Sequence, residues 1–232
     1  MIKAVFFDFD GTLVDYNSML QQACESAARK LHNILKSKGV HVDFKEILSK
    51  VYDAESRYAK TEFVNRDIWW IKILEELGIN VSLTEGEARE ITLAYWNEMM
   101  KAKPYKNVKY TLEYLKSKGY KLGIITNTDG LHSMKRKRIE KSGLAGFFDL
   151  VIVAGEDTEK QKPNVEPFLK AARLFKLKPN ECMMVGDTLS SDILGAKKAG
   201  FITVYLKGRE HNVSSAVADY VIDDIIELTK IL

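Results

Sequence analysis

Cysteine is scarce in this chain: Cys24 and Cys182 stand far apart, with no second Cys or His at metal-ligand spacing. Thiol or imidazole metal sites are therefore disfavoured, and a reducing, cytoplasmic setting is expected. Long apolar runs are missing too. The run that ends at Asp8 is too short for a signal peptide, and no later stretch is long enough to span a bilayer, so a membrane is not expected as a partner. Charge of one sign is lacking: 35 Lys and Arg face 32 Asp and Glu, a net +3. Nothing in that balance calls for nucleic acid, and any anion is bound locally. No internal repeat or low-complexity tract occurs. What is present is globular, with 46% hydrophobic and 29% charged residues in 232 positions. A chain of that length is either one large domain or a domain with an insertion.

Lys3 to Phe9 is almost wholly apolar, which predicts a strand buried on both faces. Short apolar runs recur at Lys121 to Ile125, Leu150 to Val153, Met183 to Val185 and Thr203 to Leu206, next to helix-like patterns. That alternation predicts an α/β fold with a parallel sheet. From Asp15 to about Pro104 the period is helical instead. Ser18 to Lys38 stops at Gly39, Asp67 to Leu77 stops at Gly78, and Thr84-Glu85-Gly86-Glu87 reads as a capping box. The simplest architecture is a helical insert after the first strand.

Four strings carry chemistry. In Asp8-Phe9-Asp10-Gly11-Thr12, carboxylates two apart on extended chain share a face at a strand's carboxyl end, where open α/β sheets bind ligands. At ~4 Å and an effective dielectric of ~20 their repulsion is about 4 kcal/mol, which a divalent metal relieves. Oxygen ligands without His or Cys favour magnesium. In Ile124-Ile125-Thr126-Asn127, a hydroxyl at another strand end can bond a phosphate oxygen. In Lys160-Gln161-Lys162-Pro163-Asn164, Pro163 is expected to open a helix with Lys162 just ahead of it, a pairing that suits an anion. Val185-Gly186-Asp187-Thr188-Leu189-Ser190-Ser191-Asp192 adds two carboxylates to complete a metal site. A single Asp or Thr at a strand end is more often a cap or turn residue; four such strings together point to a site.

In this order the strings resemble the motifs of the haloacid dehalogenase superfamily, in its phosphatase branch with a helical cap. The resemblance covers residues 1–15 and 105–232, implying a Rossmann-like core domain, and reads 16–104 as an inserted α-helical cap domain. It implies Asp8 as nucleophile, Asp10 as acid and base, and Thr126 and Lys162 as phosphate binders with Asn127 beside them in substrate binding. Asp8, Asp10, Asp187 and Asp192 form the implied Mg2+ site, with Asp192 ligating directly or through water. Asn164-Val165 departs from the Asp-Pro that many relatives carry after Lys-Pro. The implied activity is magnesium-dependent hydrolysis of a small phosphorylated metabolite, such as phosphoglycolate or glyceraldehyde 3-phosphate, through an aspartyl-phosphate. A monomer or homodimer is expected. The alternatives are a phosphomutase of the β-phosphoglucomutase kind, which shares all four motifs, and a 2-haloacid dehalogenase, in which Asp10 and the acidic fourth string would be surplus.

Other features read as structural. Lys135-Arg136-Lys137-Arg138 fans around ~300° of a helix and is expected to be a solvated surface. Trp69 and Trp70 are adjacent, so at most one is expected to enter a core fully. Arg57, Arg66 and Lys72 are read as surface charge before substrate contacts, Asp15 as a helix cap, and Lys160 as the competitor of Lys162 for the phosphate.

Overall fold

In the computed structural model, which describes residues 1–58, 64–207 and 217–232, the first apolar run forms β1 (Ala4–Phe7), followed by the helices α1 (Asn17–Ser37), α2 (Phe44–Tyr58), α3 (Arg66–Glu76) and α4 (Glu85–Met99). The chain continues through α5 (Val108–Ser117), β2 (Lys121–Asn127), α6 (Met134–Lys141), β3 (Leu150–Ala154), α7 (Glu166–Leu174) and β4 (Cys182–Gly186). It closes with α8 (Leu194–Lys198), β5 (Ile202–Leu206), β6 (Tyr220–Ile222) and α9 (Leu228–Ile231). One compact unit comprises Met1–Asp15, Lys103–Thr128 and Lys135–Leu232; the other comprises Tyr16–Ala102 and Asp129–Met134. Among the described residues no helix is long and apolar enough to cross a membrane.

The first unit is an α/β, Rossmann-like fold. Its sheet has the order β3-β2-β1-β4-β5-β6, and every pairing is parallel. β1 is central and buried on both faces because its side chains alternate between two cores. Val5 and Phe7 pack in one with Leu112 and Leu115 of α5 and Ile139 of α6. Ala4 and Phe6 pack in the other with Phe168 and Ala171 of α7 and Ala196 of α8. The Phe6 ring lies across Gly123, its register partner on β2, where a β-carbon would stand 2.6 Å from ring carbons. Each large side chain so buried contributes ~1.5–3 kcal/mol by transfer from water. The three-residue edge strand β6 was too short and too exposed to be read from the sequence.

Ahead of α7 the sequence reading fails in one detail. Pro163 does not open the helix; α7 starts at Glu166, with Pro167 in its first turn. Residues 162–165 form a turn instead, stabilised by Asn164, whose carbonyl Oδ1 accepts the Glu166 N–H at 3.0 Å.

The second unit is built from α1 to α4. α1 buries Ala23, Ala27, Ala28, Leu31 and Leu35, a stripe at helical spacing, in a core with Ile73 and Leu74 of α3 and Ile91 and Tyr95 of α4. The capping box is formed: Thr84 Oγ1 accepts the Glu87 N–H at 3.2 Å and Glu87 Oε2 accepts the Thr84 N–H at 2.8 Å. Such a cap contributes ~0.5–2 kcal/mol. Trp69 and Trp70 are each 1% exposed, so adjacency on the helix did not keep either out of the core. Packing partners on two sides accommodate both, and the polar edge of Trp70 is satisfied by Nε1 donating to Thr92 Oγ1 at 2.8 Å.

Arg66 is not surface charge. It is buried, donating through Nη2 to both oxygens of Glu55 at 3.1 and 2.9 Å and to the Tyr95 hydroxyl at 3.1 Å. Its guanidinium carbon lies 4.2–4.5 Å from the ring centres of Tyr95, Trp69 and Trp96. Pairing and cation–π contact offset the desolvation of the charge. Arg57, by contrast, is an exposed partner of Glu76, and Lys72 is half-buried. Asp15 does not cap α1; the helix starts after Tyr16, and Asp15 Oδ1 accepts the Tyr105 hydroxyl at 3.4 Å.

Candidate active site

The strand order reverses direction about β1, so the carboxyl ends of β2, β1 and β4 stand side by side at the point where such sheets bind ligands. Asp8 directly follows β1. Its N–H donates to the Val185 carbonyl at 3.0 Å, prolonging the ladder to β4, and its side chain is almost wholly buried. Asp187 follows β4 and is oriented by Thr12, whose Oγ1 donates to Asp187 Oδ1 at 2.8 Å. Asp192 lies in the π-helical turn Leu189–Ile193, completely buried, with Oδ2 accepting the Thr188 N–H at 3.1 Å. One carboxylate oxygen from each of Asp8, Asp187 and Asp192 lies within 4.8 Å of the other two.

Lys162 ties two of these together. Its Nζ donates to Asp8 Oδ1 at 2.7 Å, to Asp192 Oδ1 at 2.6 Å and to the Ile125 carbonyl at 2.9 Å, so all three ammonium hydrogens are bonded. Lys160 is exposed. Burial works against the Lys162 charge, but Asp192 and Asp8 outweigh it and raise its pKa. Asp192 is pushed up to about 6 by burial, against the pull of Lys162. Three carboxylates facing one ammonium leave surplus negative charge, which a divalent cation would cancel. The donor set fits magnesium: hard oxygens, buried, with no nitrogen or sulfur.

Asp10 is not part of this triad. The chain turns sharply after Phe9, whose carbonyl accepts the N–H groups of Leu13 and Val14, and the turn carries the Asp10 carboxylate toward α6. There Arg138 grips it with both terminal nitrogens, Nη1 donating to Oδ2 at 2.9 Å and Nη2 to Oδ1, while Lys135 Nζ donates to Oδ2. Burial would raise the pKa of Asp10, but Arg138 and Lys135 hold it well below the usual carboxylate range. The basic run is thus not a solvated surface throughout. Lys135 and Arg138 are 5% and 2% exposed, and only their neighbours face outward. Four residues do fan around a helix, yet positions three apart share a face, and that pairwise spacing was the signal to follow.

Thr126 is buried one residue beyond Ile125 near the end of β2. Asn127, the last residue of that strand, turns its side-chain amide to the backbone of Lys162. The structure therefore gathers Asp8, Asp187, Asp192 and Lys162, sets Asp10 beside them in a basic clamp, and adds Thr12, Lys135 and Arg138, which the sequence reading had not assigned to the site.

This geometry can be compared with known proteins. Residues 2–200 match the model of the haloacid dehalogenase-like hydrolases. The chain is 30% identical over 231 residues to a phosphoglycolate phosphatase of Aquifex aeolicus, covering all of this chain and 97% of that protein. It is 30% identical over 244 residues to a glyceraldehyde 3-phosphate phosphatase of Methanothermobacter thermautotrophicus, covering both chains in full. The crystal structure of a phosphatase of the same superfamily from Thermococcus onnurineus superposes with a TM-score of 0.73 at 28% identity, over 99% of this chain and 97% of that one. The chain belongs to the haloacid dehalogenase-like hydrolase family and is a phosphatase of that family.

Proposed function

We propose that the protein hydrolyses a small phosphomonoester metabolite in a magnesium-dependent reaction through an aspartyl-phosphate on Asp8. The observation that carries this reading is the buried triad of Asp8, Asp187 and Asp192 bridged by Lys162 at the end of the central strand. Magnesium, when bound by the triad, supplies positive charge against the phosphate oxygens and the Asp8 carboxylate. Lys162 adds a second positive charge at Asp8, so one anion can approach another. Thr126, near the end of the neighbouring strand, serves as a hydrogen-bond donor to a phosphate oxygen.

An Asp8 carboxylate oxygen forms a bond to phosphorus as the bond from phosphorus to the leaving oxygen breaks, and Asp10 gives that oxygen its proton. Asp10 then takes a proton from water, which attacks phosphorus, releases phosphate and restores Asp8. Clamped by Arg138 and Lys135, Asp10 rests ionised, the form required of the base. To serve as the acid it takes up a proton as substrate loosens the clamp.

A dehalogenase would need neither a proton for a departing halide nor a cation for a carboxylate substrate, so the buried acidic triad favours phosphoryl transfer. The names of the relatives suggest phosphoglycolate or glyceraldehyde 3-phosphate as substrate. A reducing, cytoplasmic setting suits Cys24 and Cys182, both free and buried, with thiol pKa values pushed up to about 12 chiefly by burial. The test is phosphate release from a panel of phosphorylated metabolites with magnesium and with chelator. Magnesium-dependent release that Asp8→Asn abolishes is expected. Transfer of phosphate within a sugar, with none released, would replace hydrolase by mutase.

A further inference from the structure

We infer that Asn127 is a positioning residue that sets the reach of Lys162, and that its side chain acts through that lysine rather than on substrate. The inference rests on the phosphoryl-transfer reading above. Asn127 Oδ1 accepts the Lys162 backbone N–H at 2.8 Å, and its Nδ2 donates to the Lys162 carbonyl at 3.2 Å. Both backbone polar groups of one residue are thus held by one side chain 35 positions away. A carboxamide presents a donor and an acceptor side by side; an ionised aspartate keeps the acceptor alone.

The need for such a fastening follows from the chemistry of lysine. A four-carbon stem has several rotatable bonds, and holding its ammonium in one place works against their rotamer entropy. Lys162 nevertheless places Nζ on three acceptors at once: Asp8, Asp192 and Ile125. That placement is reproducible only if the backbone from which the stem starts is fixed. The bonds on the flanks of its loop stop short of it. Thr158 Oγ1 donates to the Lys160 carbonyl, Glu166 accepts the Glu159 and Lys160 N–H groups, and Asn164 N–H donates to the Gln161 carbonyl. Asn127 supplies the bonds at Lys162 itself. It can do so because β2 ends beside the loop, with the Ile125 carbonyl on Nζ and the Asn127 amide on the backbone two residues later. One strand end holds the lysine at its root and at its tip.

The experiment combines a mutant cycle with a readout that needs no turnover. Wild type, Asn127→Ala, Lys162→Ala and the double variant are assayed with p-nitrophenyl phosphate and magnesium. In parallel, protein labelled with 15N at lysine Nζ is examined by NMR, where a buried ammonium bonded on three sides gives a slowly exchanging signal, assigned by its loss in Lys162→Ala. Asn127→Ala is expected to lose that signal and about 10- to 100-fold in kcat, the scale of a misplaced charge. In the Lys162→Ala background it should change the rate less than about twofold. Asn127→Asp should fall between wild type and Asn127→Ala, and it is the variant to read if Asn127→Ala does not fold. Retention of the ammonium signal in Asn127→Ala, wild-type behaviour of Asn127→Asp, or losses that multiply in the double variant would overturn the assignment. Wild-type protein that shows the signal but hydrolyses no phosphate ester would refute the phosphatase reading and leave the Asn127 to Lys162 relation measurable.

Discussion

A β-carbon built on Gly186 would stand 2.6 Å from Cγ of Asp192, so the most buried carboxylate of the triad occupies the space a side chain on β4 would fill. Gly186→Ala should therefore push Asp192 out of place. Overpacking of this kind costs about 1–3 kcal/mol in stability, and magnesium affinity should drop by an order of magnitude or more through the displaced ligand. Calorimetric titration with magnesium checks it; wild-type affinity in Gly186→Ala would show that Asp192 does not serve the metal.

The pKa of Asp192 gives a pH dependence with a definite sign. Its folded value of about 6 exceeds the ordinary 3.8, so between those limits the metal-free folded protein keeps a proton that the unfolded chain has lost. Stability of the metal-free protein should fall as pH rises through that window and level off above it. Magnesium competes with the same proton, so the gain in Tm on adding it should be larger at pH 7.5 than at pH 5. Thermal unfolding with and without chelator measures both, and an equal gain at the two pH values would contradict the placement of the ion.

Lys162→Ala removes the ammonium that two buried carboxylates share. It should lower kcat/KM by ~3–4 kcal/mol of transition-state stabilisation. Without magnesium it should also destabilise the fold by ~3–5 kcal/mol, because the carboxylates lose their partner. Lys160→Ala, at an exposed position, should do neither. Inactivity of Lys160→Ala with an active Lys162→Ala would reverse the assignment.

The two acids of the first string separate by substrate. Asp8→Asn should abolish turnover of every ester, since a carboxamide is a poor nucleophile. Asp10→Asn should still transfer phosphate from p-nitrophenyl phosphate, whose leaving group needs no proton, and then stall without its base. Rapid quench followed by intact mass should find phosphoenzyme on Asp8. A burst of nitrophenol without phosphoenzyme would exclude the covalent route.

In the helical unit, Arg66→Met should destabilise by ~3–5 kcal/mol by leaving Glu55 buried and unpaired. Adding Glu55→Leu should restore part of that loss, and denaturant unfolding of the single and double variants checks it. Additive losses would show that the pair is not coupled.

Much of this was legible in the sequence because burial imposes period. β1 reads as apolar on both faces because both faces enter cores, and the α1 stripe and Thr84 capping box follow local rules. Asp8 and Asp187 stand together because each directly follows a strand, and strand ends leave characteristic strings. What escaped depends on contacts distant in sequence. The spacing of Lys135 and Arg138 puts them on one face of α6, but it does not name their partner, Asp10, 125 and 128 residues away. Nothing near Asn127 reveals that its amide bonds the backbone of Lys162, 35 residues away. Arg66 looked like surface charge because its partner Glu55 and the surrounding rings lie on other helices. Trp69 and Trp70 show that adjacency limits burial only when one side of a helix is covered.

The Asp8 N–H, bonded to the Val185 carbonyl at the end of a strand paired on both sides, also has a dynamic consequence. Amides in the centre of a sheet exchange their hydrogen for deuterium only when the whole domain opens, whereas loop amides exchange through small fluctuations. Asp8 therefore sits on backbone whose protection should equal the global stability of the domain. A destabilising core substitution on another element, such as Leu115→Ala in α5, should speed deuterium uptake at Asp8 as much as at Val5.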